Sequence, residues 1–400
     1  MRVLLVAMAD SVHTARWVDQ IADQGWDLHL CPSTESGTEV HRDLRNVTVH
    51  HERFINPGRN RQGDRFSGVS LPQRVRDVWN RKVMKKTGID DRAERLAGLI
   101  DRLSPDAVHS LEIQHAGYLT LEARRKTAKP FPPWIVTNWG SDIYLFGRLA
   151  EHAPRIREVL ESCDYYSCEC RRDVALAKSF GFAGTVLPVF PNAGGFDLDQ
   201  TSSLRSGEAT SARRGIMLKG YQHWAGRALT GLRSLERCAD LLEGYEIWIY
   251  SASPEVAVAA ELCGRSRGIP VKLLPKDTPH EEILSRHGKA RISIGLSIGD
   301  AISTSLLEAM VMGSFPIQSW TACADEWIED GRTGLLVPPE DPEAVEAAIR
   351  KALSDDALVD RAAEENRRTA ELRLDRERIR PMAVEIYTRA ARTPKRDGRR

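Results

Sequence analysis

No stretch of this sequence stays apolar for the roughly 18 residues that a membrane-crossing helix needs. The opening run, Met1 to Met8, carries a single Arg and stops before Asp10, so a first β-strand fits it better than a signal peptide. Charge of one sign is lacking too. The formal net charge is +1, which gives the chain as a whole no bulk attraction for nucleic acid. Cysteines are few and unpaired in pattern: seven, an odd number at scattered positions, which argues against a disulfide framework. Only Cys163, Cys168 and Cys170 cluster, at a spacing that matches no zinc signature, so buried thiols are expected. Pro and Gly stand near average abundance and exclude collagen-like and low-complexity classes. What is left is a cytoplasmic globular protein whose 400 residues suffice for two domains.

The apolar pattern is one of short runs alternating with helical periods. Residues 2–8 read as a buried strand; a polar loop, 9–14, a helix from about Ala15 to Ala22 stopped by Gly25, and a strand from Trp26 to Cys31 follow. Such a unit opens a doubly wound sheet. Further strands are predicted at 107–110, 134–138, 163–168 and 185–187, with a helix over 114–126. The span 192–214 is rich in Gly, Ser, Thr and charge without an apolar period, and reads as a linker. A second series has strands at 216–218, 246–250, 271–274, 291–296 and 315–318. Helices at 227–242, 254–263, 280–287, 303–312 and 342–353 alternate with them. Alternation of this kind implies parallel sheets. The expected fold is α/β: two Rossmann-like lobes facing across a cleft. The expected bounds are 1–195, a linker at 196–214, a second lobe at 215–375, and a C-terminal helix and basic tail over 376–400 returning toward the first lobe.

Ligands of open parallel sheets bind at the carboxyl ends of the strands. Two loops of the second half stand there. In the first, Lys219 and Arg227 flank a segment containing Gly220 and Gly226, where backbone can approach a ligand closely. Arg and Lys are the usual partners of a diphosphate, and an Arg opposing the macrodipole at a helix start asks for a nearby anion. The second loop runs from Ser297 through Asp300, Ile302, Ser303, Thr304 and Ser305 to Glu308. A helix starting near Ser303 or Ser305 offers free N–H groups to an anion, and the carboxylates of Asp300 and Glu308 suit sugar hydroxyls. Ser305 and Glu308 also have capping-box spacing, so from spacing alone Glu308 either closes the helix or grips a ligand.

Residues 59–86 hold nine cations against two acids, Asp64 and Asp77, with Val75, Val78, Trp79 and Val83 at helical spacing. A basic amphipathic helix with an interfacial Trp suits docking on an anionic membrane; a solvated or partner-binding face and, least favoured, nucleic-acid binding are the other readings.

The stretch Asp300 to Pro316, with its Glu308-Ala309-Met310, resembles the acidic–x7–Glu pattern of the retaining GT-B glycosyltransferases, family 4 in the usual classification. The segment Glu329 to Pro339, the turn Gly140-Ser141-Asp142 and the loop Ser11-Val12-His13-Thr14 resemble the same family, in the same order. The resemblance implies transfer of a sugar from a nucleotide donor, UDP-linked first and GDP-linked second, to a glycan, lipid-linked or small-molecule acceptor in surface polysaccharide or glycoconjugate assembly. It implies that Glu308 binds the ribose and Asp300 the donor sugar. Lys219 and Arg227 would neutralise the diphosphate, helped by amides near Ser303 and Thr304, and base contacts would come from backbone near Leu274–Lys276. Ser11, His13, Thr14, Trp139, Gly140, Ser141 and Asp142 would line the other lobe, with His13 and Asp142 either contacting substrate or shaping their loops. The sequence departs from the family where Asp300 stands for the usual Glu, Trp139 for a frequent His, and Ala9-Asp10-Ser11 for paired glycines. No Asp-x-Asp metal motif is present, so catalysis without a metal or other cofactor is expected. Rival expectations are a sugar-nucleotide epimerase or hydrolase, and a degenerate binding protein.

Overall fold

Aliphatic runs that alternate with helices have one economical arrangement, strands side by side in parallel with helices over both faces. The computed structural model, which describes residues 1–34, 40–51, 65–67 and 92–393, has that arrangement twice. The chain divides into two compact units. One is Met1–Gly194 together with the segment from Arg380 onward; the other is Gly195–Ile379.

The first unit holds strands β1 (Arg2–Ala7), β2 (Asp27–Pro32), β3 (Thr48–His50), β4 (Arg65–Ser67), β5 (Ala107–Leu111), β6 (Trp134–Thr137), β7 (Tyr165–Ser167) and β8 (Thr185–Val186). They form a sheet in the order β4-β3-β2-β1-β5-β6-β7-β8, and neighbours run parallel. Burial of β1 from Val3 to Ala7 reflects cover on both faces. The helix Arg92–Leu103 turns Leu96, Leu99 and Ile100 inward at the 3.6-residue period and joins the core around Trp134 and Tyr166. The helix Arg376–Ala390 delivers Tyr387 to this unit. Its hydroxyl accepts from Trp17 Nε1 (2.6 Å) and meets His109 Nδ1 (2.7 Å), while His109 Nε2 meets Thr137 Oγ1 (2.6 Å).

The second unit holds β9 (Gly215–Lys219), β10 (Glu246–Tyr250), β11 (Val271–Leu273), β12 (Ala290–Gly295), β13 (Phe315–Ser319) and β14 (Leu335–Val337), in the order β11-β10-β9-β12-β13-β14 with parallel neighbours. In both sheets the order reverses once, between β1 and β5 and between β9 and β12. The carboxyl ends flanking such a reversal leave a crevice because the two following helices lie on opposite faces.

Three expectations change. The span 196–214 is not a free linker. It contains the helix Leu198–Leu204, and Phe196, Thr201, Thr210 and Arg213 are buried. Several of its polar groups are bonded within the unit: Phe196 pairs its backbone with Leu374 and Arg376, and Thr210 Oγ1 donates to the Gly313 carbonyl (2.7 Å). The helix expected from Ala15 begins earlier, at Val12, because Ser11 caps it by accepting from the His13 amide. Beyond 353, a further helix, Asp356–Arg373, packs through Leu358, Val359 and Ala362. All seven cysteines are buried and unbridged. The basic segment 59–86 lies outside the described residues apart from 65–67.

Candidate functional site

The reversal in the second sheet is where the two loops named from sequence meet. Lys219 ends β9, and the chain then loops to Arg227, which caps the helix Ala228–Arg237. Gly226 pairs antiparallel with Ser297, the Ile298 amide donates to the Ala225 carbonyl (2.9 Å), and the Arg227 amide donates to the Leu296 carbonyl (3.1 Å). The loops after β9 and β12 are thus joined. Gly226 allows the join, since a Cβ there would stand 2.3 Å from the Tyr221 carbonyl oxygen. Gly220 serves packing rather than a ligand: it is buried, and a Cβ would stand 2.7 Å from the Ala252 Cα.

Across the join, Lys219 Nζ donates to Ser303 Oγ (3.3 Å), and Ser303 Oγ meets Ser305 Oγ (2.8 Å). Ser303 is the N-cap of the helix Thr304–Met312, yet its hydroxyl makes no capping bond because Lys219 and Ser305 occupy it. A cation thus stands at a helix start that no side chain caps, an arrangement suited to an anion. Arg227 lies on the same loop, with Nε on Glu340 Oε1 (2.7 Å), so the anion its position asks for is in part supplied by the protein. Asp300 is half-buried in the β12 loop, and its Oδ1 accepts from the Ala301 amide (3.0 Å). Ile302 packs into the core with Leu306 and Met310, so its side chain is structural rather than a donor contact.

Glu308 is one turn inside the helix and buried. With Ser303 as N-cap, the capping-box reading fails: its Oε1 meets His280 Nε2 (2.7 Å) and its Oε2 lies 3.5 Å from His287 Nε2. Burial works against its charge, but the hydrogen bonds from His280 and His287 prevail and hold the carboxyl well below the usual carboxylate range. His287 is fixed on its other side by Ser293 Oγ (2.8 Å), which meets Ser314 Oγ (2.6 Å). Neither histidine was singled out from sequence. Their seven-residue spacing on the helix His280–Lys289, which puts both on one face, is the signal that could have found them.

The residues named in the first unit divide. His13 is exposed, with its ring centroid 5.5 Å from that of Trp139, while Ser11 is occupied as a cap. Thr14 is buried in the first turn of the helix Val12–Asp19. Gly140 has φ +91°, which suits glycine, and precedes the short helix Ser141–Tyr144. Ser141 and Asp142 are buried there. Asp142 builds the loop: its Oδ2 accepts from the Trp139 (3.0 Å) and Ile113 (3.1 Å) amides. Burial first, then the charge of Glu112, raise its carboxyl above the ordinary range.

A family described as glycosyl transferase 4-like matches residues 2–164, and one described as glycosyl transferases group 1 matches residues 269–369. No curated protein matches the chain. Among solved structures, sucrose-phosphate synthase from Thermosynechococcus elongatus is 16% identical, with a TM-score of 0.68 over 97% of this chain and 98% of that one. HepE of Anabaena, solved in complex with UDP and glucose, is 13% identical, with a TM-score of 0.68 over 97% and 100%. Trehalose 6-phosphate synthase from Burkholderia multivorans is 14% identical, with a TM-score of 0.66 over 98% and 97%. These likenesses give the fold, GT-B.

Proposed function

Because the chain belongs to the glycosyltransferases of group 1, we propose that it moves a sugar from a nucleoside-diphosphate donor to a hydroxyl group with its anomeric configuration retained, and that the donor's diphosphate is held in the second unit. The observation that carries this reading is the junction of the β9 and β12 loops, which sets Lys219 on the hydroxyl of Ser303 at a helix start that no side chain caps. As the bond to the anomeric carbon breaks, charge gathers on the departing diphosphate. A fixed cation and helix amides stabilise that charge more than the ground state. In this reading Glu308 takes the ribose, Asp300 the sugar, and Arg227 the outer phosphate, exchanging Glu340 for it.

UDP is the favoured carrier, since HepE was solved with UDP-glucose and with UDP, and GDP comes second. A glycan or lipid-linked acceptor accords with the basic stretch 59–86, whose charge suits an anionic membrane surface at the cytoplasmic face. Transfer without a metal completes the proposal. The test is a melting-temperature screen across sugar nucleotides, since selective binding stabilises the fold. The winning donor is then titrated into Lys219→Ala and Glu308→Ala, with about tenfold or greater weakening expected for each, as for a lost charged hydrogen bond. A screen with no stabilising nucleotide, or two variants that bind like the parent, would overturn it.

A further inference from the structure

The loop between Lys219 and Arg227 carries side chains that the reading above does not use. Gln222 anchors the loop from within. Its amide donates to Ser253 Oγ (2.9 Å), its Oε1 accepts from the Leu229 amide (3.1 Å), and its backbone bridges to that of Arg227. Held this way, the loop leaves Tyr221, His223 and Trp224 exposed. Their rings touch in sequence, with centroids 5.0 Å apart for Tyr221 and His223 and 5.3 Å for His223 and Trp224. Lys219 Nζ stands 4.8 Å over the Tyr221 ring, and Arg227 Nη1 donates to the His223 carbonyl (3.2 Å). His223 thus sits between the two cations of the candidate diphosphate site, and all of these residues belong to the second unit. One contact sets its tautomer: Nδ1 accepts from the Ala225 amide (3.2 Å), so the proton of the neutral ring is on Nε2. A second proton would stand on Nδ1, against that amide. Burial first, then the charges of Lys219 and Arg227, also lower the affinity of the ring for it, while the nearby acid Glu340 is turned to Arg227. Among the described residues no polar atom bonds Nε2.

We infer that His223 is a fixed, neutral hydrogen-bond donor that holds a phosphoryl oxygen of the nucleotide donor from Nε2, beside Lys219 and Arg227. This rests on the transferase reading and adds to its diphosphate site a group that gives a hydrogen bond without giving up a proton. A neutral imidazole polarises an oxygen but is too weak an acid to protonate it. It therefore steadies the charge gathering on the departing diphosphate as a backbone amide does, and moves no proton in the reaction. A histidine that held phosphate as a cation would lose its grip as pH rises through about 6.5. His223, held neutral by the Ala225 amide, keeps its contribution constant above that value.

The test has two arms. Nitrogen-15 NMR of the histidine rings, with His223→Gln as the assignment control, reads the protein without ligand. A ring protonated on Nε2 at about pH 7.5, with a titration midpoint below about 6.5, is expected. A ring protonated on Nδ1, or one charged at that pH, would overturn the inference. In the second arm, UDP and GDP are titrated calorimetrically into the parent, His223→Ala and His223→Gln at about pH 7 and about pH 8. His223→Ala is expected to bind the better nucleotide about tenfold more weakly at both, as for a lost hydrogen bond to a charged group. His223→Gln, which keeps an N–H donor at similar reach, is expected within about threefold of the parent. Melting temperatures without ligand stay within error. Equal affinity in His223→Ala, a Gln variant no better than the Ala one, or a loss explained by unfolding would each overturn the inference alone. A parent that binds neither nucleotide would overturn the transferase reading and this inference together.

Discussion

Glu308 shows how one residue's spacing can suggest the wrong partner. Counted from Ser305 it completes a capping box, but the helix begins at Thr304, and the carboxylate turns to two histidines of a neighbouring helix. A buried carboxylate needs such partners. Replacing it by Gln keeps a hydrogen bond to His280 but removes the charge on which both rings converge. Glu308→Gln is expected to destabilise the protein by about 1–3 kcal/mol, measured by urea unfolding. No change in midpoint would mean that the histidines contribute nothing to the fold. His280 and His287 escaped sequence reading because each alone carries no period; only their seven-residue spacing pairs them, and their meaning comes from an acid that the fold brings beside them.

At the scale of elements, the parallel strands were legible because cover on both faces makes many of them nearly unbroken apolar runs, as in Val3–Ala7 and Ile247–Tyr250. The helix Asp356–Arg373 was not, since it buries only Leu358, Val359, Ala362, Asn366 and Ala370 within a highly charged face. The span 196–214 misled because its buried groups are mostly Thr and Arg, held by hydrogen bonds that no hydrophobic pattern registers. The helix Arg376–Ala390 is held by buried Ile379, Ala383, Ile386 and Ala390 and by the hydroxyl of Tyr387. Tyr387→Phe would strand the indole N–H of Trp17 and Nδ1 of His109, both buried, at about 1–3 kcal/mol for each unmade bond. A melting temperature several degrees lower is expected; an unchanged one would show that the hydroxyl is dispensable.

For the molecule as a whole, one buried group in each unit loses stability in acid, while Asp142 in the first unit, whose carboxyl burial raises above the ordinary range, gains it. His109 in the first unit is pushed down to about 3 by burial, so between that value and about 6.5 the unfolded chain binds a proton that the folded chain refuses. Glu308 in the second unit is held low, so its contribution is present above the ordinary carboxylate value and is lost as pH falls. His109 and Glu308 therefore weaken the fold on acidification from about pH 6.5, by at most about 1.4 kcal/mol per pH unit for each such proton, and Asp142 offsets part of that loss. Unfolding midpoints of the parent and of His109→Gln between pH 7 and 4 check this: the parent is expected to lose more stability on acidification than the variant, and identical profiles would contradict it.

The division of the chain is not a cut in two. Gly195–Ile379 is one uninterrupted stretch, whereas its companion is assembled from the beginning of the chain and the segment from Arg380 onward, clasped by the phenol of Tyr387 between an indole and an imidazole. Along the chain, the second unit is therefore complete before the first has its closing piece. The half synthesised earliest is the half that finishes last.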